Sequence, residues 1–154
     1  MPIEGDITFE SVKFSYPSRP DSSIFYGSDT MDGVSLHVAP GESIGLVGRS
    51  GSGKSTVLQI VMRFYEITGG SASLDKKEFA DLNVKALRSQ IGYVGQLPTL
   101  FNGTVKENVL LGKQDATDNE IVAACKLAQC HEFILNLADG GYSGLIGLQL
   151  GTVH

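Results

Sequence analysis

Gly48-Arg49-Ser50-Gly51-Ser52-Gly53-Lys54-Ser55 is the most informative run of residues in the chain. It fits the pattern G-x-x-x-x-G-K-[ST], in which glycines let backbone N–H groups turn inward towards phosphate oxygens. Lys54 supplies a compact cation for the outer phosphates, and Ser55 supplies a hydroxyl for Mg²⁺. A helix that begins at the loop adds the positive end of its dipole. The stretch therefore predicts a loop that binds the triphosphate of a nucleotide.

The flanks of this loop show the pattern that such a loop requires. Residues 43–47 predict a short buried strand that follows a turn at Pro40-Gly41. Residues 56–65 carry apolar side chains at helical spacing, and the predicted helix ends before Gly69-Gly70. The alternative is a plain Gly/Ser-rich turn between a strand and a helix. Strand, loop and helix in this order favour the phosphate-binding interpretation.

Composition and charge exclude several classes of protein. The 154 residues are 42% hydrophobic and 19% charged, which is typical of one globular domain. The net charge of −5 argues against sequence-independent binding of nucleic acid, which needs clustered lysines and arginines. No apolar run approaches the roughly 20 residues of a membrane span, and the first residues do not resemble a signal peptide, so we expect a soluble chain. Cys125 and Cys130 form no metal framework and predict buried free thiols in a reducing compartment.

The rest of the chain divides into strand-like and helix-like patterns. Strands are predicted over residues 7–14, 34–38, 71–74 and 91–94, and helices over residues 84–90, 104–111, 120–129 and 132–137. Asn83 is expected to cap the first of these helices, and residues 117–120 have a capping-box signature for the third. Residues 22–32 predict an extended surface loop. Because strands dominate the first half, we predict an α/β fold with a β-rich N-terminal subdomain.

Two residues outside the loop are candidates for binding a nucleotide. Tyr16 lies on a proline-bounded loop, where its ring could stack on an adenine, although an ordinary half-buried tyrosine is the alternative. Gln96 follows the predicted strand 91–94, and ligands of α/β sheets bind at strand ends, although a simple loop glutamine is the alternative. His37 and His131 are interpreted as structural or surface residues, and no catalytic triad or metal cluster emerges.

Several segments, taken in order, resemble those of one family. They are Phe14-Ser15-Tyr16-Pro17-Ser18-Arg19-Pro20, the phosphate loop, Arg63-Phe64-Tyr65, residues 82–88, Ile91-Gly92-Tyr93-Val94-Gly95-Gln96 and residues 101–108. Together they resemble the nucleotide-binding domain of ABC transporters, of the exporter type related to P-glycoprotein and the multidrug-resistance proteins. The resemblance covers nearly the whole chain. It implies an α/β P-loop NTPase core, the ABC ATPase core, with an N-terminal antiparallel β subdomain.

The resemblance also implies a layout for residues 1–154 as a partial nucleotide-binding domain. The expected parts are a β subdomain in residues 1–42 and 68–76, a phosphate-loop core with the Q-loop region in residues 43–67 and 82–147, and a divergent tail in residues 148–154. In that tail, Leu148-Gln149-Leu150-Gly151 stands where the family usually has a Glu-Arg-Gly run.

The site residues of the family carry over onto matching positions. Tyr16 matches the A-loop aromatic residue that stacks on adenine. The positions that match Walker A, which holds the phosphates of ATP, are Gly48, Arg49, Ser50, Gly51, Ser52, Gly53, Lys54, Ser55 and Thr56. Within that set Lys54 matches a catalytic residue and Ser55 matches the Mg²⁺ ligand. Gln96 matches the Q-loop glutamine, which reaches both Mg²⁺ and the attacking water and is therefore expected to be catalytic and metal-binding.

The resemblance implies three partners and a location. The partners are ATP, the transmembrane domain of an ABC exporter and a second nucleotide-binding domain, with no nucleic acid among them. Residues 101–108 match the region that meets the coupling helices of the transmembrane domain. The expected location is the cytoplasmic face of a membrane, reached through that partner domain.

The chain departs from the family pattern at several positions. Gly95 and Leu97 flank Gln96 where the family usually has Ser-Gln-Glu, so the acidic neighbour is missing. A few extra residues lie between Asp21 and Gly33, and Asp75 is not followed by the usual glycine.

The LSGGQ signature, the Walker B strand, the catalytic glutamate and the switch histidine of the family have no counterpart in these 154 residues. We therefore expect the chain alone, truncated before the signature helix and the Walker B strand, to bind Mg-ATP or ADP weakly, to hydrolyse it negligibly and to be marginally stable. One alternative is a non-catalytic module that regulates a transporter by competing for its membrane domain. Another is a different P-loop enzyme, such as a small-molecule kinase.

Overall fold

The computed structural model describes residues 3–25, 33–97, 99–137 and 140–147. They belong to two compact units, Met1–Tyr93 and Val94–His154. Within the described ranges, no helix combines the length and the apolar character that a bilayer crossing would require.

The first unit is a four-stranded sheet with two helices. Its elements are β1 (Ile7–Lys13), β2 (Val34–Val38), α1 (Lys54–Val61), β3 (Gly69–Leu74), β4 (Lys77–Glu78), a 3₁₀ turn (Phe79–Asp81) and α2 (Val84–Arg88). The strand order is β2-β1-β3-β4, and every pair is antiparallel. This sheet confirms the strands predicted over residues 7–14, 34–38 and 71–74, and with it the antiparallel character of the first half of the chain.

A bulge in β1 explains how that strand contributes to the core. Phe9 and Val12 are both buried, although residues three apart point to opposite faces of a regular strand. The pairing register of β1 shifts after Phe9, and Ser11 has a left-handed φ of 49°. The extra residue turns Val12 back to the face of Phe9, as a β-bulge does. Both side chains therefore reach the same hydrophobic core.

That core lies between the sheet and the two helices. Its buried members are Phe9, Val12, Phe14, Phe25, Val57, Ile60, Ala72, Leu74, Phe79 and Leu87. Val57 and Ile60 come from one face of α1, which places this helix on the sheet. Asn83 caps α2 as predicted, because its side chain accepts a hydrogen bond from the backbone N–H of Ala86 at 3.0 Å.

The second unit is small and mostly helical. Its elements are β5 (Gly103–Thr104), α3 (Val105–Leu110), α4 (Asp118–Leu127), α5 (His131–Leu135), a 3₁₀ turn (Gly141–Ser143) and β6 (Leu145–Ile146). Capping boxes begin α3 at Thr104 and α4 at Thr117, and the second confirms the sequence signature. Its core consists of Val105, Ile121, Cys125 and Ile134. Both cysteines are free, with Cys125 buried and Cys130 partly buried.

The prediction of buried strands at residues 43–47 and 91–94 is wrong. Both segments lie outside any strand, and Val47 and Val94 are 93% and 95% exposed. A β-strand exists only through hydrogen bonds to a neighbour, and no described residue pairs with either segment. Apolar composition alone therefore does not produce a strand here.

Two boundaries also differ from the predictions. The helix expected over residues 56–65 is α1, which ends at Val61 because Arg63 adopts a left-handed φ of 50°. The surface loop expected from Ser22 onwards turns into the core within a few residues, since Ser22 is exposed but Phe25 is buried. Residues 26–32 of that expected loop and the divergent tail 148–154 lie outside the described residues.

Candidate nucleotide-binding site

The phosphate loop joins residues 43–47, which form no helix or strand, to α1, and glycine suits three of its positions. Gly51 and Gly53 have φ angles of 80° and 88°, which residues with a Cβ rarely adopt. At Gly48 a Cβ would lie 2.7 Å from the hydroxyl oxygen of Ser52, so that side chain would have to move. These glycines therefore permit the tight backbone turns of the loop.

Lys54 reaches back into its own loop. Its ammonium nitrogen donates to the carbonyl oxygens of Gly48 and Arg49, each at 2.8 Å, and to the hydroxyl of Ser52 at 3.4 Å. A lysine ammonium has three donors, and here all three point at loop atoms. The loop thus concentrates a positive charge at the start of α1.

The first turn of α1 is open to an anion. Gly53 is the N-cap residue and offers no side chain, and the first turn contains no acidic residue. The backbone N–H groups of a helix N-terminus have no intrahelical partner and carry the positive end of the dipole. Ser55 is exposed in this turn, whereas Thr56 is buried. Ser55 is therefore the hydroxyl of this turn that a metal or phosphate can reach.

Tyr16 is anchored to the helix that follows the loop. Its hydroxyl lies 3.0 Å from the hydroxyl of Thr56 and donates to the side-chain carbonyl of Gln59 at 2.9 Å. Its ring makes edge-to-face contacts with Phe14 and Tyr65, at centroid distances of 4.9 and 5.2 Å. The residue as a whole is partly buried. Tyr16 and the phosphate loop therefore lie in the same unit, and Tyr16 is hydrogen-bonded to the helix that follows the loop.

Gln96 lies in the second unit, outside any helix or strand, and is exposed. Residues 91–94 form no strand, so Gln96 lies at a bend of the chain and not at the end of a strand. Exposed apolar residues follow it at Leu97, Leu100 and Phe101. The side chain of Asn108 fixes this segment by accepting from the N–H of Phe101 and donating to its carbonyl, at 2.8 and 2.9 Å.

Three residues at the site were missed by sequence reasoning. Ile24 and Phe25 contact the loop at Gly53, and Gln59 accepts a hydrogen bond from Tyr16. The adjacent pair of apolar residues in an otherwise polar stretch was the available signal for the first two. Elsewhere in the described ranges, no group of three or more His, Cys, Asp or Glu residues is arranged to hold a metal ion.

Comparisons with known proteins agree with this geometry. A family profile described as ABC transporter matches residues 31–144. The chain is 47% identical to the ATP-dependent permease MDL1 of Candida albicans, over 90% of this chain and 19% of the permease. It is 44% identical to the multidrug resistance protein pgp-1 of Caenorhabditis elegans, over 96% of this chain and 11% of that protein. The chain therefore spans less than a fifth of the length of either relative.

A solved structure is also similar. It is the structure of a bacterial Atm1-family ABC exporter with ATP bound, and it matches with a TM-score of 0.83 and 34% sequence identity. The match covers 94% of this chain and 24% of the exporter chain. The fold of the described residues is thus similar to part of a much longer protein.

Proposed function

The chain belongs to the ABC transporter family, as part of a nucleotide-binding domain of the exporter type, and from this premise we propose that its phosphate loop binds ATP together with Mg²⁺. The observation that carries the proposal is the loop itself. Its left-handed turns at Gly51 and Gly53, the lysine ammonium among its carbonyls and the uncapped start of α1 are all suited to a polyphosphate. The exporter with ATP bound supports the choice of nucleotide.

The chain offers a distinct group to each part of the nucleotide. Backbone N–H groups of residues 48–56 are proposed to surround the phosphates, and Lys54 to exchange its loop carbonyls for β- and γ-phosphate oxygens. When bound, Mg²⁺ neutralises charge on these phosphates. Ser55 would hold the cation through its exposed hydroxyl, an oxygen ligand that fits this hard cation. Gln96 is proposed as a metal-binding and catalytic residue on its match to the Q-loop glutamine alone, and its exposed carboxamide offers an oxygen ligand of the same kind.

Tyr16 is proposed to stack on the adenine. The hydrogen bonds of its hydroxyl to Thr56 and Gln59 fix the ring to α1 and so keep it near the phosphate loop. Base–aromatic stacking contributes about 1–3 kcal/mol where truncation has measured it. The ring therefore adds affinity for the base to the affinity of the loop for phosphate.

We further propose that these 154 residues bind ATP without hydrolysing it efficiently. Lys54 and Gln96 position phosphate and water, but the sequence contains neither the signature nor the Walker B and glutamate residues of the family. A missing general base commonly slows a reaction by about 10²–10⁴-fold. In a longer protein that supplies these residues and a second nucleotide-binding domain, the same site would energise export.

The partner proposed for the second unit is the transmembrane domain of an exporter. The exposed Leu97, Leu100 and Phe101, together with the rigid turn that Asn108 holds, offer an apolar surface beside Gln96. This contact would bring the chain to the cytoplasmic face of a membrane. The same surface favours the second candidate function, a non-catalytic module that competes for that membrane domain.

We also propose the layout given by the family resemblance. In it, residues 1–42 and 68–76 form a β subdomain, and residues 43–67 and 82–147 form the phosphate-loop core with the Q-loop region.

Isothermal titration of the 154-residue chain with Mg-ATP tests the proposed function. We expect Lys54→Ala to weaken binding by about 10–100-fold, because it removes charge-assisted contacts with phosphate. Lys85→Ala is the matched control, since Lys85 is an exposed lysine on α2 with the same charge. Equal affinities of wild type and Lys54→Ala would overturn the phosphate-loop assignment. Steady-state ATP turnover above about 0.1 s⁻¹ that Lys54→Ala abolishes would overturn the non-hydrolysing part of the proposal.

A further inference from the structure

Phe25 is a buried residue of the first unit's core, and its ring contacts the phosphate loop. The backbone N–H of Ile24 donates to the carbonyl of Phe14 at 2.9 Å, and Ser15 and Ser23 form an isolated antiparallel bridge. These two contacts fasten residues 23–25 to the chain that follows β1. Phe25 is only 6% exposed and is the last described residue before residues 26–32.

The ring of Phe25 lies directly against Gly53. A Cβ placed on Gly53 would be 2.8 Å from both Cδ1 and Cε1 of that ring, and 3.0 Å from Cγ2 of Ile24. Real Cβ atoms do not approach other atoms so closely, so the ring fills the space beside the glycine Cα. Gly53 is itself buried by this contact. The left-handed turn at Gly53 is thus supported by an aromatic ring as well as permitted by the lack of a side chain.

The backbone at Gly53 determines how the loop enters α1. Gly53 is the N-cap, with φ 88° and ψ 7°, and no side chain forms a cap hydrogen bond there. The directions of the next backbone N–H groups, those of Lys54 and Ser55, follow from these two angles. Glycine alone has wide freedom at this point, because it populates left-handed and right-handed regions about equally. The side chains of Phe25 and Ile24 pack against Gly53 and restrict this freedom, and the ring of Phe25 makes the closer approach.

We propose that Phe25 is a positioning residue for the phosphate loop. The ring holds Gly53 in its left-handed conformation, so that the N–H groups at the start of α1 face the phosphates before a nucleotide arrives. Phe25 touches no ligand in this role and acts through Gly53. The inference rests on the proposed function of the loop. Pre-organisation of this kind raises affinity by lowering the ordering cost of binding.

Phe14 is a neighbour of the aromatic residues at both ends of the proposed nucleotide site, Phe25 at the phosphate end and Tyr16 at the adenine end. Phe14 lies 6.5 Å from Phe25 and 4.9 Å from Tyr16 between ring centroids. The residue proposed to hold the phosphate loop and the residue proposed to stack on adenine therefore share one neighbour. Truncating Phe25 is expected to weaken the binding of phosphate groups more than the binding of adenine, because Phe25 contacts Gly53 in the phosphate loop directly.

Titration with Mg²⁺ and inorganic tripolyphosphate tests the role of Phe25 on the full 154-residue chain. The variants are Phe25→Ala and the milder Phe25→Leu, which decides the matter should the alanine variant not fold. Phe79→Leu is the matched control, since Phe79 is 5% exposed in the same core and packs on Phe9. We expect Phe25→Ala to weaken tripolyphosphate binding about tenfold, the equivalent of one charge-assisted contact, and Phe25→Leu less. Phe79→Leu should lower Tm and leave this affinity unchanged.

A second readout separates positioning from general stability. The backbone amide resonances of Gly53 and Lys54 should shift and broaden in Phe25→Leu without ligand, and stay in place in Phe79→Leu. Unchanged tripolyphosphate affinity and unchanged Gly53 resonances in a folded Phe25→Leu would overturn the inference. A wild-type chain that binds neither ATP nor tripolyphosphate would instead overturn the proposed function, and the inference with it. The two failures are thus distinguishable.

Discussion

Two apolar regions of the first unit have opposite outcomes. The strand β1 has hydrogen-bonded neighbours on both sides and carries Phe9 and Val12 into the core. Residues 43–47 have a similar apolar content, but they have no partner among the described residues and leave Val47 exposed. The two regions have a similar local composition, but among the described residues only β1 has neighbouring strands to pair with. Burial therefore follows from pairing and packing with distant segments.

The largest expected effect tests this contrast directly. Phe9→Ala should lower the free energy of unfolding by about 3–5 kcal/mol, because it removes a fully buried ring and leaves a cavity. Val47→Ala should change it by less than about 0.5 kcal/mol, because the side chain is already in solvent. Urea denaturation of the 154-residue chain measures both values. A comparable loss in the two variants would mean that residues 43–47 are packed as a strand.

A smaller effect is expected where a long-range contact is polar. The Asp75 carboxylate accepts hydrogen bonds from the backbone N–H groups of Glu4, Gly5 and Asp6 at 2.9, 3.0 and 3.0 Å. Burial raises the pKa of Asp75, but these hydrogen bonds outweigh it and hold the pKa below its ordinary value of 3.8. Asp75→Asn should cost about 2 kcal/mol at pH 7.

The pH dependence of that loss has a definite sign. A carboxyl whose folded pKa is depressed stabilises the fold above its unfolded pKa, and this contribution disappears as the pH falls through the folded pKa. The difference in urea midpoint between wild type and Asp75→Asn should therefore be constant from pH 7 to about pH 5 and shrink below about pH 4. A difference that grows on acidification would contradict the assignment.

The capping box of α4 in the second unit should contribute less to stability than Asp75 does. Thr117 and Glu120 form the capping box of α4, and the pKa of Glu120 is lowered to about 2 by a hydrogen bond from Lys113 and by those from Thr117. Thr117→Ala should cost about 1 kcal/mol of helix stability, measured by amide exchange along α4. The control Thr99→Ala, at an exposed threonine outside any helix, should have no such effect. Stabilisation by the Glu120 carboxylate should be complete above its ordinary pKa of 4.5 and should be lost progressively as the pH falls from there towards 2.

The smallest expected effect is a gain in stability. Asp75 and Lys76 form the turn between β3 and β4 with left-handed φ angles of 51° and 65°. Lys76→Gly should raise the free energy of unfolding by about 0.5–1 kcal/mol, because glycine adopts this conformation without strain. The same change on α2, Lys85→Gly, should lower it by about 1 kcal/mol. Thermal melts of the two variants should therefore shift in opposite directions.

The sequence was informative wherever short-range chemistry decides the structure. Three strands of the antiparallel sheet (β1, β2 and β3), the cap at Asn83 and the capping box at Thr117 were predicted within a few residues, whereas β4 was not predicted. The phosphate loop was recognisable because its glycines and its lysine interact with atoms only a few residues away. The left-handed angles at Gly51 and Gly53 agree with that pattern. Family membership, too, could be anticipated from the ordered motifs of the chain.

Other features of the site could not be anticipated from local patterns. Tyr16 was a candidate by type, but the hydrogen bonds that attach its hydroxyl to α1 join residues 40 and 43 positions apart. Phe25 looked like part of a polar loop and is instead packed against Gly53. Gln96 was placed after a strand that does not form. Each of these outcomes depends on which distant segment lies nearby.

By itself, the sequence determined the phosphate loop, the helix starts and the antiparallel strands, since backbone torsions, side-chain caps and alternation act within a few residues. The tertiary structure was needed to show that residues 43–47 and 91–94 have no pairing partner among the described residues, and that Phe25 packs against Gly53. Strand pairing and core packing are contacts between distant segments, and their free energy depends on which neighbours are present. A local pattern cannot encode those neighbours.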